Sequence, residues 1–185
     1  MTITSSPRAA ADAGPMSPGL RLLLSYAETV IGGSPGLAVV EGVAGPARTE
    51  LLGGLGDRLA GDGWLRVAGA SSPHERLVPY APILNALGQA AGPALPRLSP
   101  TRAHAERLAG GLAAAVCSGR PTLLTFDDVQ HFDGWSLRLL GDLLPELDRF
   151  PVLAVFTVDP VAGPADGVPD FLRTLHREAA VTLAV

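Results

Sequence analysis

Apolar and polar positions along this chain alternate between two rhythms. Leu20 to Ile31 (LRLLLSYAETVI) carries apolar residues at helical spacing and stops at Gly32-Gly33, which predicts a helix with a glycine C-terminus. Leu37 to Val40 (LAVV) is a short, continuous, partly β-branched run, the profile of a strand buried on both faces. Thr49 to Leu59 (TELLGGLGDRL) returns to helical spacing, weakened by its glycines. Trp64 to Ala70 reads as a second strand, and Pro82 to Ala91 and Arg102 to Val116 as helices with apolar stripes. Thr122 to Phe126 (TLLTF) is a strongly apolar strand closed by Asp127-Asp128. Ser136 to Leu147 is helical, with Pro145 expected to bend or shorten its last turn. Val152 to Thr157 (VLAVFT) is another buried-type strand, Phe171 to Glu178 a short helix, and Val181 to Val185 a final β-like run. Strands that alternate with helices, most of them continuously apolar, predict an α/β fold: three layers, a mostly parallel sheet and helices on both faces.

Composition narrows the class without naming a function. The chain has 185 residues, 47% hydrophobic and 17% charged, enough for one domain with a full core. Residues 1–19 are rich in Ser, Pro, Ala and Gly and are expected to form a flexible lead-in, with the domain spanning 20–185. A net charge of −4 and the lack of any basic cluster argue against direct binding of nucleic acid. No segment approaches the ~18 apolar residues of a membrane span, and no signal-peptide core is present. The single cysteine, Cys117, reads as a buried helix residue and suits a cytoplasmic protein. All fourteen basic residues are arginine.

Two stretches carry candidate chemistry. In VVEGVAGPARTELL, Val39 to Leu52, a glycine-rich turn joins a strand to a helix, where inward N–H groups and a helix N-terminus can cradle phosphate. Gly42, Gly45 and Thr49 fit the pattern G-x-x-x-x-G-K-[ST], but Ala47 and Arg48 stand where it has glycine and lysine. Pro46 also lacks an N–H. An ordinary glycine-rich turn accounts for this stretch as readily as a phosphate loop. In PTLLTFDDVQHFD, Pro121 to Asp133, an acidic pair ends a buried strand, where ligands bind in open α/β sheets. Asp127 is placed to hold Mg²⁺ beside the Thr49 hydroxyl, and Asp128 to orient or deprotonate a water. Alternatively the pair merely ends the strand, and Asp133 caps the next helix. His74, His104 and His176 lack metal-ligand spacing.

The runs GLAVVEGVAGPARTELL, PTLLTFDDVQHFDGWSLRLLGDL and PVLAVFTVDP together resemble the nucleotide-binding domain of large LuxR-family ATP-binding transcriptional regulators, AAA-like ATPases of the STAND type. ASSPHERLVPYAPILNAL is similar to the segment between their two Walker motifs, so the likeness runs from about Leu20 to Val185. The resemblance implies a P-loop fold that binds ATP or ADP with Mg²⁺. Gly42, Gly45, Ala47, Arg48 and Thr49 then occupy the nucleotide loop, Thr49 and Asp127 the metal site, and Asp128 the place of the catalytic acid. His131 stands where the family usually has tryptophan, and Asp159 where it commonly has an arginine that senses the γ-phosphate. The family's opening box is not recognisable before Leu20, and its lid, repeats and helix-turn-helix do not follow, so the chain resembles a remnant or a fragment. Two functions are expected to compete: a regulatory domain that binds ATP or ADP with weak or no hydrolysis, and a nucleotide-free pseudo-ATPase that engages a protein partner or self-associates. A small-molecule kinase finds no substrate site between the motifs.

Overall fold

The computed structural model describes residues 16–33, 36–91, 101–116, 119–147, 149–162 and 168–185. The lead-in expected over 1–19 therefore lies mostly outside the described residues, as does Cys117. Among the described residues eleven helices and strands follow one another: α1 (Pro18–Ile31), β1 (Gly36–Glu41), α2 (Pro46–Gly61), β2 (Leu65–Ala70), α3 (Ala81–Ala91), α4 (Arg102–Val116), β3 (Thr122–Asp127), α5 (Gly134–Leu147), β4 (Val152–Val158), α6 (Val168–Glu178) and β5 (Val181–Ala184). A single 3-10 turn, Val129–His131, follows β3.

The sheet has the order β2-β3-β4-β1-β5, and every pairing is parallel. Alternate side chains of each strand point to opposite layers. Ala38, Val40, Leu123, Leu153 and Val155 pack with Leu23, Ala27 and Val30 of α1 and with Leu51, Leu55 and Leu59 of α2. Leu37, Val39, Leu124, Phe126, Ala154 and Phe156 face the other way, onto α3, α4, α5 and α6. There Phe126 stacks on Phe156 at 5.4 Å, and Phe132 and Phe171 meet this pair edge-on. All seven residues of β4 are buried, so the continuously apolar strand is the central one.

Several helices start earlier than the apolar periodicity indicates, and proline is the reason. Pro18, Pro46 and Pro169 each sit in a first turn, where a missing N–H has no helical partner to lose and a fixed φ suits the helix. Ser17 caps α1 by accepting the Leu20 N–H at 3.2 Å. The helix of α5 runs through Pro145 to Leu147, so the proline expected to bend or shorten its last turn does not shorten it. Gly36 is required by close approach: a Cβ there would meet the Val152 carbonyl at 2.2 Å and Val30 at 2.6 Å. Among the described residues, no helix is long and apolar enough to cross a membrane.

Candidate functional site

Parallel strands bring their carboxyl ends to one edge of the sheet, and the loops that leave those ends share that edge. The loop after β1, the turn after β3 and the loop after β4 meet there. After Glu41 the chain passes through Gly42–Gly45 into α2 at Pro46. Gly42 is pinned from both sides. Its N–H donates to the Val158 carbonyl at 3.0 Å, and a Cβ would meet the Val185 carbonyl at 2.4 Å. Gly45 is fully extended (φ 177°), so no left-handed conformation demands glycine there. The Thr49 hydroxyl donates back to the Gly45 carbonyl at 3.3 Å, as its backbone N–H does at 3.2 Å.

Arg48 is the residue around which the edge is organised. It is 3% exposed and points from the first turn of α2 toward β3. Its Nη1 donates to the Gly42 carbonyl at 3.1 Å, its Nε lies 3.3 Å from Asp127 Oδ1, and its Nη2 donates to Asp128 Oδ1. One guanidinium thus spans both acids of the pair and the loop backbone, a use of the planar fork that an ammonium does not reproduce. The two carboxylates are less enclosed, at 32% and 24% exposed.

A second set of contacts comes from β4. The Thr157 hydroxyl donates to Asp127 Oδ1 and accepts the Asp128 N–H at 3.0 Å. Asp128 is left-handed (φ 59°), a conformation that Asp tolerates better than most residues, and this turns its side chain back over the strand end. Gln130 Nε2 donates to Asp128 Oδ1 at 2.8 Å, and Gln130 Oε1 accepts the Asp159 N–H at 3.1 Å. Asp159 closes the ring: its carboxylate accepts N–H bonds from Val161 at 2.9 Å, Ala162 at 3.3 Å and Ala44 at 3.4 Å. The Val161 bond first, then those of Ala44 and Ala162 and the charge of Arg48, hold its carboxyl below the usual aspartate value.

Beside this ring lies a cleft of about 450 Å³ lined by Ala44, Ser71, Glu75, Asp128, Gln130 and Asp159, among others. Its carboxylates, among them Glu75, Asp128 and Asp159, outnumber the two arginines at its walls, Arg48 on Asp128 and Arg76 on the Gln130 carbonyl at 3.1 Å, so the site carries excess negative charge. Glu75 belongs to a local turn. Bonds from Ser72, the backbone N–H first and then the hydroxyl, hold its carboxyl below the usual value.

The sequence-level candidates Gly42, Gly45, Ala47, Arg48, Thr49, Asp127 and Asp128 thus meet at one edge, but two pairings differ from the expected ones. Asp127 faces Arg48 and Thr157, while the Thr49 hydroxyl faces Gly45. A magnesium ion needs oxygen ligands at about 2.0–2.1 Å in near-octahedral array. Here a fixed guanidinium touches both acids, so the positive charge a metal would bring to the pair is already supplied by the protein. These residues, as arranged, do not fit Mg²⁺. Asp133 is 5% exposed and caps α5, accepting the Trp135 N–H at 3.0 Å and the Ser136 N–H at 3.1 Å. Thr157 was not foreseen. Its only signal is one hydroxyl at the end of an apolar strand, and its role depends on β4 lying beside β3.

A family model described as an AAA ATPase domain matches residues 18–156. A comparison with curated protein sequences yields no match. Among solved structures, the chain is similar to the Aeropyrum pernix ORC2 protein, with TM-score 0.58 and 13% identity over 94% of this chain and 50% of that one. It is also similar to C. elegans PCH-2, with TM-score 0.50 and 14% identity over 90% and 41%, and to the Pif1 helicase of Candida albicans, with TM-score 0.50 and 18% identity over 92% and 39%. The chain spans half or less of the length of these structures, and at such identities the likeness shows the shared α/β P-loop fold.

Proposed function

We propose that this chain, which belongs to the AAA ATPase domain family, is a nucleotide-binding regulatory domain that holds ADP or ATP and hydrolyses it weakly or not at all. The observation that carries this reading is the meeting of a strand-to-helix glycine loop, its basic residue Arg48 and the Asp127-Asp128 pair at the carboxyl edge of one parallel sheet. The N-terminus of α2 presents partial positive charge toward the loop, which favours a phosphate, although Pro46 has no N–H to offer and that of Ala44 donates to Asp159. The ORC2 neighbour was solved as ADPNP–ADP complexes, which agrees with a nucleotide on this fold.

Weak hydrolysis follows from charge. Phosphoryl transfer needs positive groups around the γ-phosphate as its charge spreads. Here Arg48 is already shared between two carboxylates, and Asp159 adds a third negative group at the loop. A diphosphate places less charge near those acids than a triphosphate, so ADP is the preferred ligand. The motifs resemble those of LuxR-family regulators, and a role in transcription regulation rests on that resemblance.

The test is isothermal titration of the purified chain with ADP and with ATP. Binding of ADP at micromolar to sub-millimolar Kd, tighter than ATP, supports the reading, and no heat with millimolar nucleotide sinks it. The engagement of Arg48 by the Gly42 carbonyl, Asp127 and Asp128 favours a second reading, a nucleotide-free domain that acts only by contact with another protein. It predicts that silent titration.

A further inference from the structure

We infer that Arg48 is the resident cation of this site: its guanidinium stands between Asp127 and Asp128 in the place of a divalent metal, and the site works without one. Three independent features converge on this. The guanidinium reaches Asp127, Asp128 and the Gly42 carbonyl together, from a side chain that is 4% exposed. The remaining contacts of the acids reinforce that arrangement. Thr157 donates to the same Asp127 oxygen, and Gln130 Nε2 donates at 2.8 Å to the same Asp128 oxygen. The hydroxyl best placed by sequence to complete a metal site, that of Thr49, is committed to the Gly45 carbonyl at 3.3 Å.

The chemistry makes this occupancy permanent. A guanidinium stays protonated at every physiological pH, so no proton loss vacates the place. A doubly charged ion bridging the pair would lie against a fixed positive group in a partly dry setting, where like-charge repulsion is weakly screened. Displacing Arg48 would strand its charge in a buried position. A metal therefore enters only when the arginine is removed. A nucleotide that binds the loop then does so as the free anion, with Arg48 supplying the positive charge from behind the loop. This last step rests on the nucleotide reading above, whereas the occupancy of the acid pair does not.

The test has a nucleotide-free arm and a nucleotide arm. In ¹⁵N-labelled protein, trace Mn²⁺ is added and amide broadening is read residue by residue. The wild-type amides of Gly42, Arg48 and Asp128 are expected to broaden no more than those of distant residues. In Arg48→Ala they broaden selectively, and adding Asp127→Asn removes the effect. Arg48→Gln, which keeps most of the volume, repeats the experiment if the alanine variant unfolds. Selective broadening in the wild type, or none in either folded variant, overturns the inference. In the second arm, the Kd for ADP is expected to agree within twofold in MgCl₂ and in EDTA. Binding that needs Mg²⁺ overturns the inference while leaving the nucleotide reading intact. No ADP binding at all defeats the nucleotide reading, and the Mn²⁺ arm alone then decides the resident cation.

Discussion

Replacing Arg48 by alanine removes the one cation that both acids of the pair share. The side chain is 4% exposed, and its loss leaves Asp127 and Asp128 facing each other with the Gly42 carbonyl unpaired on that side. Breaking a fully buried ion pair costs about 3–5 kcal/mol, because the surviving charge is left uncompensated. An exposed pair is worth only about 0–1 kcal/mol. The carboxylates here are 32% and 24% exposed, so water takes over part of their solvation and the value falls between these limits. Adding the lost charge-assisted bond to Gly42, a destabilisation of about 3 kcal/mol is expected. For a chain of this size each kcal/mol lowers Tm by about 2–4 °C, so the variant should melt about 6–12 °C below wild type. Thermal melts followed by circular dichroism read this directly. Combining the change with Asp128→Asn should recover about 1–2 kcal/mol relative to the sum of the single effects, since the partners are in contact. A melt within about 2 °C of wild type, on the scale that relates Tm to stability, or strictly additive single effects, would refute the central place given to Arg48.

Three further outcomes follow from other parts of the structure. Asp133→Ala should cost about 3 kcal/mol, because it removes the cap of α5 and leaves the Tyr80 N–H without its 3.2 Å acceptor, and Asp133→Asn should cost less than half as much by chemical denaturation. Gly36→Ala should destabilise by about 2–3 kcal/mol, because its Cβ would sit 2.2 Å from the Val152 carbonyl, and a wild-type urea midpoint would contradict that contact. Asp159 has its carboxyl held below the ordinary value of 3.8, so its contribution to stability is present above that pH and lost as pH falls through the folded-state value. A ¹³C titration of its carboxyl should give a midpoint below 3.8, and a midpoint at or above it would contradict the bonds from Val161, Ala44 and Ala162.

The parallel sheet was legible because Leu37 to Val40, Thr122 to Phe126 and Val152 to Thr157 are continuous runs of apolar residues broken only by threonine, as burial on both faces favours. Helix starts were less so. Apolar spacing places the beginning of α2 at Thr49, while Pro46 satisfies the first turn and lets it begin three residues earlier. That the two motifs meet at one edge of the sheet was readable from their order, but the contacts between them were not. Whether Asp127 meets the Thr49 hydroxyl or the Arg48 guanidinium depends on a long side chain's rotamer, and linear spacing carries no information about it. Thr157 was hidden for a different reason: it matters only because a strand distant in sequence lies next to β3.

The position of β4 between β1 and β3 also sets a length scale. Neighbouring strands stand about 4.8 Å apart, so the loop after β1 and the acids after β3 are separated by about 9.5 Å across the sheet. That distance is too wide for a direct backbone contact and too narrow for a second layer of protein, and something must bridge it. In this chain a seven-atom side chain with a forked end does so. The strand in the middle thus acts as a ruler, and only a side chain long enough to cross it can tie the loop after β1 to the acids after β3.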